Sequence, residues 1–528
     1  MQVKILQIGL VLMPRNSLSI GVRLLLAVLS GWLLALAYPT PGQWWCAPIS
    51  VAIFSALAWN QTKKLGAIIG FVYGFVAFLL QHTWLTVVGV DATWVLSFYL
   101  AIWIGAVGIV ISIISRAIYR QTISWPIGLL AISSAWVLEE FLRGRYPFGG
   151  YPWARLAFSQ ADSPLALWSR IGGIPVLSFI VVAISVACVA IFILASIRAK
   201  VVLVLFVIVC FLIPKTLSNA STSTDANGDV SKIAIGVVQG GTPQTGMGAM
   251  DVRRAVLDNH VKHTIELAQK VKRGEEPQPE IVIWPENSSD LDPYVEDDAA
   301  ALIDQAVKAI GVPILVGAVV ESETDPQNEV YNMGILWGPS TGPGETYIKN
   351  APVPFGEFIP FRSVLTQLIS RYERVPRDFA HGVEPGLFAV SGVTLGDLIC
   401  FEVAVDPVVN RVINEGAQVL VVQTNNATYA GTALPQQQLN IERLRAIEND
   451  RTVVVAATTG ISARITPGGS VDPILEDGDV GSFVVEVAPR ANLTPGARLG
   501  PYLELLMCLF VVAVLVCIPI RERRGRRS

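Results

Sequence analysis

In a chain of 528 residues, 52% hydrophobic and only 15% charged, the balance is not that of a soluble protein, where about a quarter of residues are charged. The formal net charge of −3, with no Lys/Arg stripe carrying interleaved aromatics, leaves nucleic acid without a footprint. Charge gathers in residues 232–490. The length therefore divides into a helical membrane bundle of about 200 residues and a soluble domain of about 260.

In chain order, residues 1–18 carry Lys4 and Arg15 around a short apolar run ending at Pro14. The run is too short to span and lacks a small-residue cleavage site, which predicts a cytoplasmic or interfacial tail rather than a cleaved signal. A spanning helix needs about 20 apolar residues. Stretches that meet or approach this lie at 19–38, 44–59, 65–88, 93–119, 122–142, 173–197, 201–214 and, much later, 501–520. Seven of these make a bundle over 19–214; the eighth returns after the soluble domain and leaves a basic tail at 521–528. Lys and Arg fall at alternate ends of the spans, and Arg521, Arg523, Arg524, Arg526 and Arg527 join the side of Lys63, Lys64, Arg116 and Arg120. That pattern predicts cytoplasmic termini and an extracytoplasmic soluble domain.

Between the fifth and sixth expected spans, Arg143, Arg145, Arg155 and Arg170 sit among Tyr146, Tyr151 and Trp153 on the predicted outer side. Ordinary interfacial anchoring accounts for such a loop. So does a platform on which Arg binds lipid phosphates and rings lie at headgroup depth. Residues 215–231 contain almost nothing that could be buried and are expected to be a linker. From 232 to 490, short β-rich runs alternate with helical patterns, which predicts an α/β domain.

Five of the six cysteines fall in the apolar stretches, leaving Cys400 alone in the polar part. A single thiol with no disulfide partner in an oxidising compartment is better read as a nucleophile than as packing. It follows an apolar run and is flanked by Asp397 and Glu402. Residues 280–287 read Glu-Ile-Val-Ile-Trp-Pro-Glu-Asn, so Pro285 ends a strand and delivers Glu286 just beyond it. Residues 347–358 place Lys349 and Glu357 in a stretch that two prolines and a glycine keep irregular. A thiol ordinarily ionises near 8.5 and needs a neighbouring base or cation, and none of the four histidines lies in a matching motif. Glu286 becomes the candidate base, and Lys349 suits an oxyanion.

In this order and spacing, Trp-Pro-Glu286, Tyr-Ile-Lys349 with Pro-Phe-Gly-Glu357, and Ile-Cys400-Phe-Glu402 resemble the Glu-Lys-Cys triad of the nitrilase (carbon-nitrogen hydrolase) superfamily. With the spans, the Tyr-Pro-Trp153 loop, Val-Val-Gln-Gly at 237–240, Asn425-Asn426 and Arg443 to Glu448, nearly the whole chain resembles the apolipoprotein N-acyltransferases. The resemblance implies an αββα sandwich. It also implies an acyl chain taken from a phospholipid onto Cys400 and passed to the α-amino group of a diacylglyceryl-cysteine lipoprotein. Supporting roles fall to Glu357, Glu402 and the backbone N–H of Phe401. Phe401 stands where the family often has Tyr. The residues after Gln239-Gly240 lack the usual Trp, so Met247 and Met250 are the candidates to touch acyl chains. No cofactor is expected, no Cys or His near the triad has metal-ligand spacing, and a monomer is expected.

Two other readings stand beside it. A membrane-tethered nitrilase-type amidase hydrolysing a small amide would use the same triad with water as acceptor. A transporter with an inert outer domain is disfavoured by the few ionisable residues in the spans.

Overall fold

Glycines at every fourth position decide how the first helices pack. On Lys63–Gln81, Gly66, Gly70 and Gly74 face Val90–Tyr119 so closely that a Cβ on Gly66 would lie 2.5 Å from the Gly108 carbonyl oxygen. A Cβ on Gly70 would lie 2.4 Å from that of Ile104. Backbones this near one another gain dispersion contacts that do not depend on water being expelled, as a membrane bundle requires. The computed structural model describes residues 18–194, 196–221, 232–249, 252 and 254–525. Residues 1–17 of the expected N-terminal tail, residues 222–231 of the expected linker, Met250, and Arg526, Arg527 and Ser528 of the basic tail lie outside the described residues.

The chain forms two units. The first comprises residues 1–146, 150–227 and 498–528. Its helices are α1 (Ile20–Ala35), α2 (Cys46–Ala58), α3 (Lys63–Gln81), α4 (Val90–Tyr119), α5 (Trp125–Arg143), α6 (Trp168–Ile193) and α7 (Ile197–Ser221). The last helix of the chain, α13 (Pro495–Gly525), belongs to it from Arg498 onward. Five of these, α3, α4, α5, α6 with its lead-in from Pro164, and α13, are long and apolar enough to cross a membrane. The apolar α1 and α2 have 16 and 13 residues. In α6, Gly173 takes a left-handed φ of 83° just before Pro175, so the helix is broken where the sequence suggested a span would begin. The helix α7 runs on to Ser221, into the stretch expected to be linker.

The second unit, residues 228–497 with 147–149, is an αββα sandwich. Its strands are β1 (Ile233–Gln239), β2 (Ile281–Ile283), β3 (Ile314–Glu321), β4 (Glu329–Gly338), β5 (Gly342–Ile348), β6 (Asp378–Phe379), β7 (Leu387–Val390), β8 (Val393–Ile399), β9 (Val419–Thr424), β10 (Val453–Ala457), β11 (Ser462–Ile465), β12 (Val471–Leu475) and β13 (Gly481–Val487). One sheet has the order β13-β1-β2-β3-β4-β5, with β6 on β4; the other runs β12-β11-β10-β9-β8-β7. The triplets β1-β2-β3 and β8-β9-β10 are parallel. Helices α8 (Ala255–Lys272) and α9 (Asp297–Ile310) cover the first sheet, Leu257, Ile303 and Val307 packing on Val282, Trp284 and Val316. Between the sheets, Ile235, Val237 and Ile283 meet Leu395, Val421 and Val454. The shorter α10 (Arg362–Leu368), α11 (Asp406–Asn414) and α12 (Leu434–Asn449) complete the unit.

The apolar run from 387 to 403 is not one strand. Ser391 and Gly392, with φ of 51° and 79°, form a two-residue turn of type I′ character between β7 and β8, where Val390 pairs with Val393.

Candidate active site

Polar groups in the second unit converge just beyond the carboxyl ends of the parallel strands, where strand termini leave backbone donors unpaired. Glu286 leaves β2 through Pro285, and β3 makes room for that turn. A Cβ on Gly317 would sit 2.2 Å from the Pro285 carbonyl oxygen, so no larger residue fits. The Thr458 hydroxyl donates to the Glu286 carbonyl at 2.9 Å and holds the turn. Lys349 follows β5, its N–H donating at 2.9 Å to the carbonyl of Asn332 on β4.

Side chains then close a square of two donors and two acceptors. Lys349 Nζ donates to Glu286 Oε1 at 3.0 Å and to Glu357 Oε1 at 2.9 Å. Asn332 Nδ2 donates to the same two oxygens at 2.7 and 2.8 Å. The second oxygen of each carboxylate accepts from backbone, Asn425 N–H on Glu286 at 2.8 Å and Val353 N–H on Glu357 at 2.6 Å. Lys349 and Asn332 are each 1% exposed. Burial alone would lower the Lys349 pKa, but Glu286 and Glu357 outweigh it and raise the group above an ordinary lysine. Lys349 is therefore a permanent ammonium.

Cys400 begins the turn after β8 with φ 55°, a left-handed conformation that costs a residue with a Cβ about 1 kcal/mol or more and turns the thiol out of the sheet. Glu402 holds that turn. Its carboxylate accepts the N–H groups of Ile399, Asn350 and Ala351 at 2.8, 2.6 and 3.0 Å and the Tyr347 hydroxyl at 2.9 Å. One buried side chain thus ties the nucleophile turn to the Lys349 segment. Burial first, then the Glu286 carboxylate, push the Cys400 thiol up to about 12, against the pull of Lys349 and of a hydrogen bond from Thr424. The resting sulfur is a thiol beside a carboxylate.

Glu286, Lys349 and Glu357 are thus in direct contact, with Cys400 in their field and Phe401 buried next to it. Met247 lies partly exposed in the 3-10 turn Gly246–Gly248, its carbonyl accepting from Arg374 at 3.2 Å. The loop residues belong to the first unit, and their surroundings correct one expectation. Arg143 is 1% exposed and donates to Glu139, to the Tyr151 carbonyl at 2.8 Å and to the Ala154 carbonyl at 3.2 Å. A guanidinium used this way holds its own loop and has no face to offer a lipid phosphate. Trp153 is also buried, and Tyr151 packs edge-on to His82 with ring centroids 5.4 Å apart. Arg145, over the Phe141 ring and paired to Glu504 at 2.8 Å, keeps part of its surface. Among the described residues, no cluster of three or more His, Cys, Asp or Glu could hold a metal ion.

Sequence reading passed over Asn332 and Thr424. Asn332 shares a face of β4 with buried Val330 and Gly334, and a buried amide on such a face needs partners. That was the available signal. Thr424, at the end of an all-buried strand, gave none.

A nitrilase-type sandwich carrying a Cys, Lys and Glu cluster, in one chain with apolar spanning helices, defines a membrane member of the carbon-nitrogen hydrolase superfamily. The carbon-nitrogen hydrolase family model matches residues 235–479, and the model for the apolipoprotein N-acyltransferase N-terminal domain matches 30–187. The apolipoprotein N-acyltransferase of Mycolicibacterium smegmatis is 35% identical over 93% of this chain and 84% of its own length. That of Photobacterium profundum is 27% identical over 97% and 98%. The chain belongs to the apolipoprotein N-acyltransferase family. Among solved structures, an amidase from Nesterenkonia sp. is 17% identical over 50% of this chain and 93% of that one, with a TM-score of 0.36.

Proposed function

We propose that this protein moves a fatty acyl chain from a membrane phospholipid, through a thioester on Cys400, to the α-amino group of the N-terminal diacylglyceryl-cysteine of a lipoprotein. The observation that carries the reading is the buried Glu286–Lys349–Glu357 cluster beside a lone thiol, in a chain of this family. Because the resting sulfur is protonated, its proton leaves as it attacks. Glu286 Oε1 already accepts two hydrogen bonds, so Oε2, with the single Asn425 N–H on it, takes the proton. Lys349 Nζ touches Glu286 Oε1 at 3.0 Å and both oxygens of Glu357 at 2.9 Å, and its positive charge, held in place by them, serves the oxyanion.

In the first half-reaction the Cys400 sulfur bonds to the ester carbonyl carbon and the ester C–O bond breaks. The lysophospholipid alkoxide leaves with the proton from Glu286. In the second, the acceptor amine attacks the thioester, Glu286 removes its proton, the C–S bond breaks and the thiolate recovers that proton. The sequence is ping-pong. Both substrates are lipid-anchored, which gives the apolar helices their use, and all three residues come from one chain, so a monomer suffices. Lys and Arg alternation between spans supports cytoplasmic termini and a catalytic unit outside the bacterial plasma membrane.

Intact mass spectrometry after incubation with phospholipid tests this. A fatty-acyl increment mapping to Cys400, absent from Cys400→Ser, should transfer to a diacylglyceryl lipopeptide with a free amino terminus. If the adduct is released only as free fatty acid, or none forms, the reading fails and hydrolysis of a small amide takes its place.

A further inference from the structure

Asp397 flanks the nucleophile in sequence, yet the reaction outlined above leaves it unused. On β8 it shares a face with Leu395 and Ile399, which pack between the sheets, so its carboxyl points into that apolar layer and is fully buried. Neither of its oxygens has a hydrogen-bond partner among the described residues. Gln423, also fully buried on the adjacent β9, leaves Oε1 without a partner in the same way. Both side chains rest on Gly334 of β4, across the gap between the sheets. A Cβ there would lie 2.7 Å from Asp397 Oδ2 and 3.0 Å from Gln423 Oε1, so these oxygens fill the space that any larger residue would need.

Three acceptor atoms thus gather where the described residues supply them no donor, and buried polar atoms are rarely left so. The Gln423 amide cannot turn round to provide one. Its Nε2 donates to the Trp284 carbonyl at 2.5 Å and to that of Leu315 at 3.4 Å, and the reversed amide would set its oxygen against two carbonyls. The charged groups facing Asp397 are the Glu402 and Glu286 carboxylates, and the Tyr347 phenol on β5 already donates to Glu402 at 2.9 Å. Burial first, then Glu402, hold the Asp397 carboxyl well above the ordinary carboxylate range, the Leu398 N–H opposing them in part. A proton on Asp397 itself supplies the donor that the layer needs.

We propose that Asp397 is a positioning residue, kept as the neutral acid, that donates a hydrogen bond to Gln423 Oε1 and so latches the strand of Cys400 to the strand of Glu286. Gln423 is the link, because it crosses from β9 to the Trp284 carbonyl, two residues before Glu286, while Asp397 lies three residues before Cys400. An ionised Asp397 would repel Gln423 Oε1 and open the latch. The inference rests on Cys400 and Glu286 as the nucleophile and base of the reading above; the Asp397 proton does not move in the reaction.

Infrared spectroscopy of the full-length protein in detergent tests the proton directly. The wild-type minus Asp397→Asn difference spectrum at neutral pH should contain the carbonyl stretch of a protonated carboxylic acid, above the amide I band and sensitive to deuterium exchange. Glu442, whose carboxyl burial also keeps protonated, is common to both proteins and cancels. Where the asparagine variant does not fold, heavy-carbon labelling of aspartate carboxyls in the wild type should shift the same band, since the other buried aspartate among the described residues, Asp406, is paired with Arg445 at 2.6 Å. Positioning is read from kcat. Asp397→Leu, which has no donor, should transfer acyl chains about ten- to a hundredfold more slowly at an unchanged KM for phospholipid, as a misplaced nucleophile and base would. Asparagine can donate to the same oxygen and should recover most of the rate. The absence of the acid band, a leucine variant with wild-type kcat, or an asparagine variant as slow as the leucine overturns the inference. The band needs no substrate, so a wild-type protein that shows it but gains no acyl mass sinks the acyl-transfer reading alone. Acyl transfer without the band sinks the latch alone.

Discussion

At Glu286, two effects on the same sulfur can be separated by one substitution. As base, Glu286 must receive the thiol proton; as an anion, it raises the thiol pKa by repelling a thiolate. Glu286→Gln keeps the shape and removes both. Thioester formation should fall by about 10²–10⁴, the usual contribution of a general base. Alkylation by a small electrophile should instead quicken at neutral pH, because the sulfur then faces Lys349 with one carboxylate fewer. Both rates falling together would mean that Glu286 only holds Lys349 in place. The motif order brought Glu286, Lys349, Glu357 and Cys400 to attention because each stands beside a proline, glycine or strand end that the sequence displays. Asn332 and Thr424 were not legible, since their partners, Glu286 and Glu357 for the one and Gln438 on α12 for the other, lie 14 to 46 residues away and no local pattern marks such pairings.

At the level of elements, α12 backs the nucleophile with polar rather than apolar side chains, and this makes it sensitive to pH. Burial holds the Glu442 carboxyl protonated up to about 8, against an ordinary 4.5. Below about 4.5 the group is protonated in both folded and unfolded chains and favours neither. Between there and about 8 the unfolded chain releases its proton while the folded chain keeps it, so stability falls as pH rises through that window. The total is on the order of a few kcal/mol. Glu442→Gln has no proton to hold, so its melting temperature relative to wild type should climb between pH 5 and pH 8, roughly the edges of that window. A constant difference in thermal unfolding across that range would show Glu442 ionised in the folded unit. The helix itself was legible from Gln436 to Glu448, as were most parallel strands, whose continuous Val and Ile runs need no alternation. The β7–β8 hairpin was not, because its apolar strands flank only Ser-Gly, and neither was β5, whose Gly-Pro-Gly start reads as loop.

At the scale of the whole first unit, α13 is the one of the five helices long and apolar enough to cross a membrane that packing explains least. Only 28% of its apolar window is buried, and Leu505, Leu506, Leu509, Val512 and Val516 are all exposed, as suits a face turned to lipid. Ion pairs fasten it instead. Glu504, 3% exposed, meets Arg145 at 2.8 Å and Arg155 at 3.2 Å; toward the other end, Glu522 meets Arg120 at 2.9 Å. The arginines near 150 were visible in the sequence as an anomaly in the Lys/Arg pattern, but their acid lies some 350 positions along the chain. Only the fold joins them. The two ends differ in what breaking them costs. Arg155 is 2% exposed, so Glu504→Gln strips its charge partner inside the bundle, which should destabilise the unit by about 3–5 kcal/mol. Arg120 is 51% exposed, and Glu522→Gln should cost less than about 1 kcal/mol. Thermal unfolding of the two variants in detergent should therefore separate them clearly, with Glu504→Gln melting first and its α13 the earliest site of proteolysis. Equal melting would mean that α13 is held by its apolar contacts after all, and that the buried arginines find their compensation within the loop they already brace.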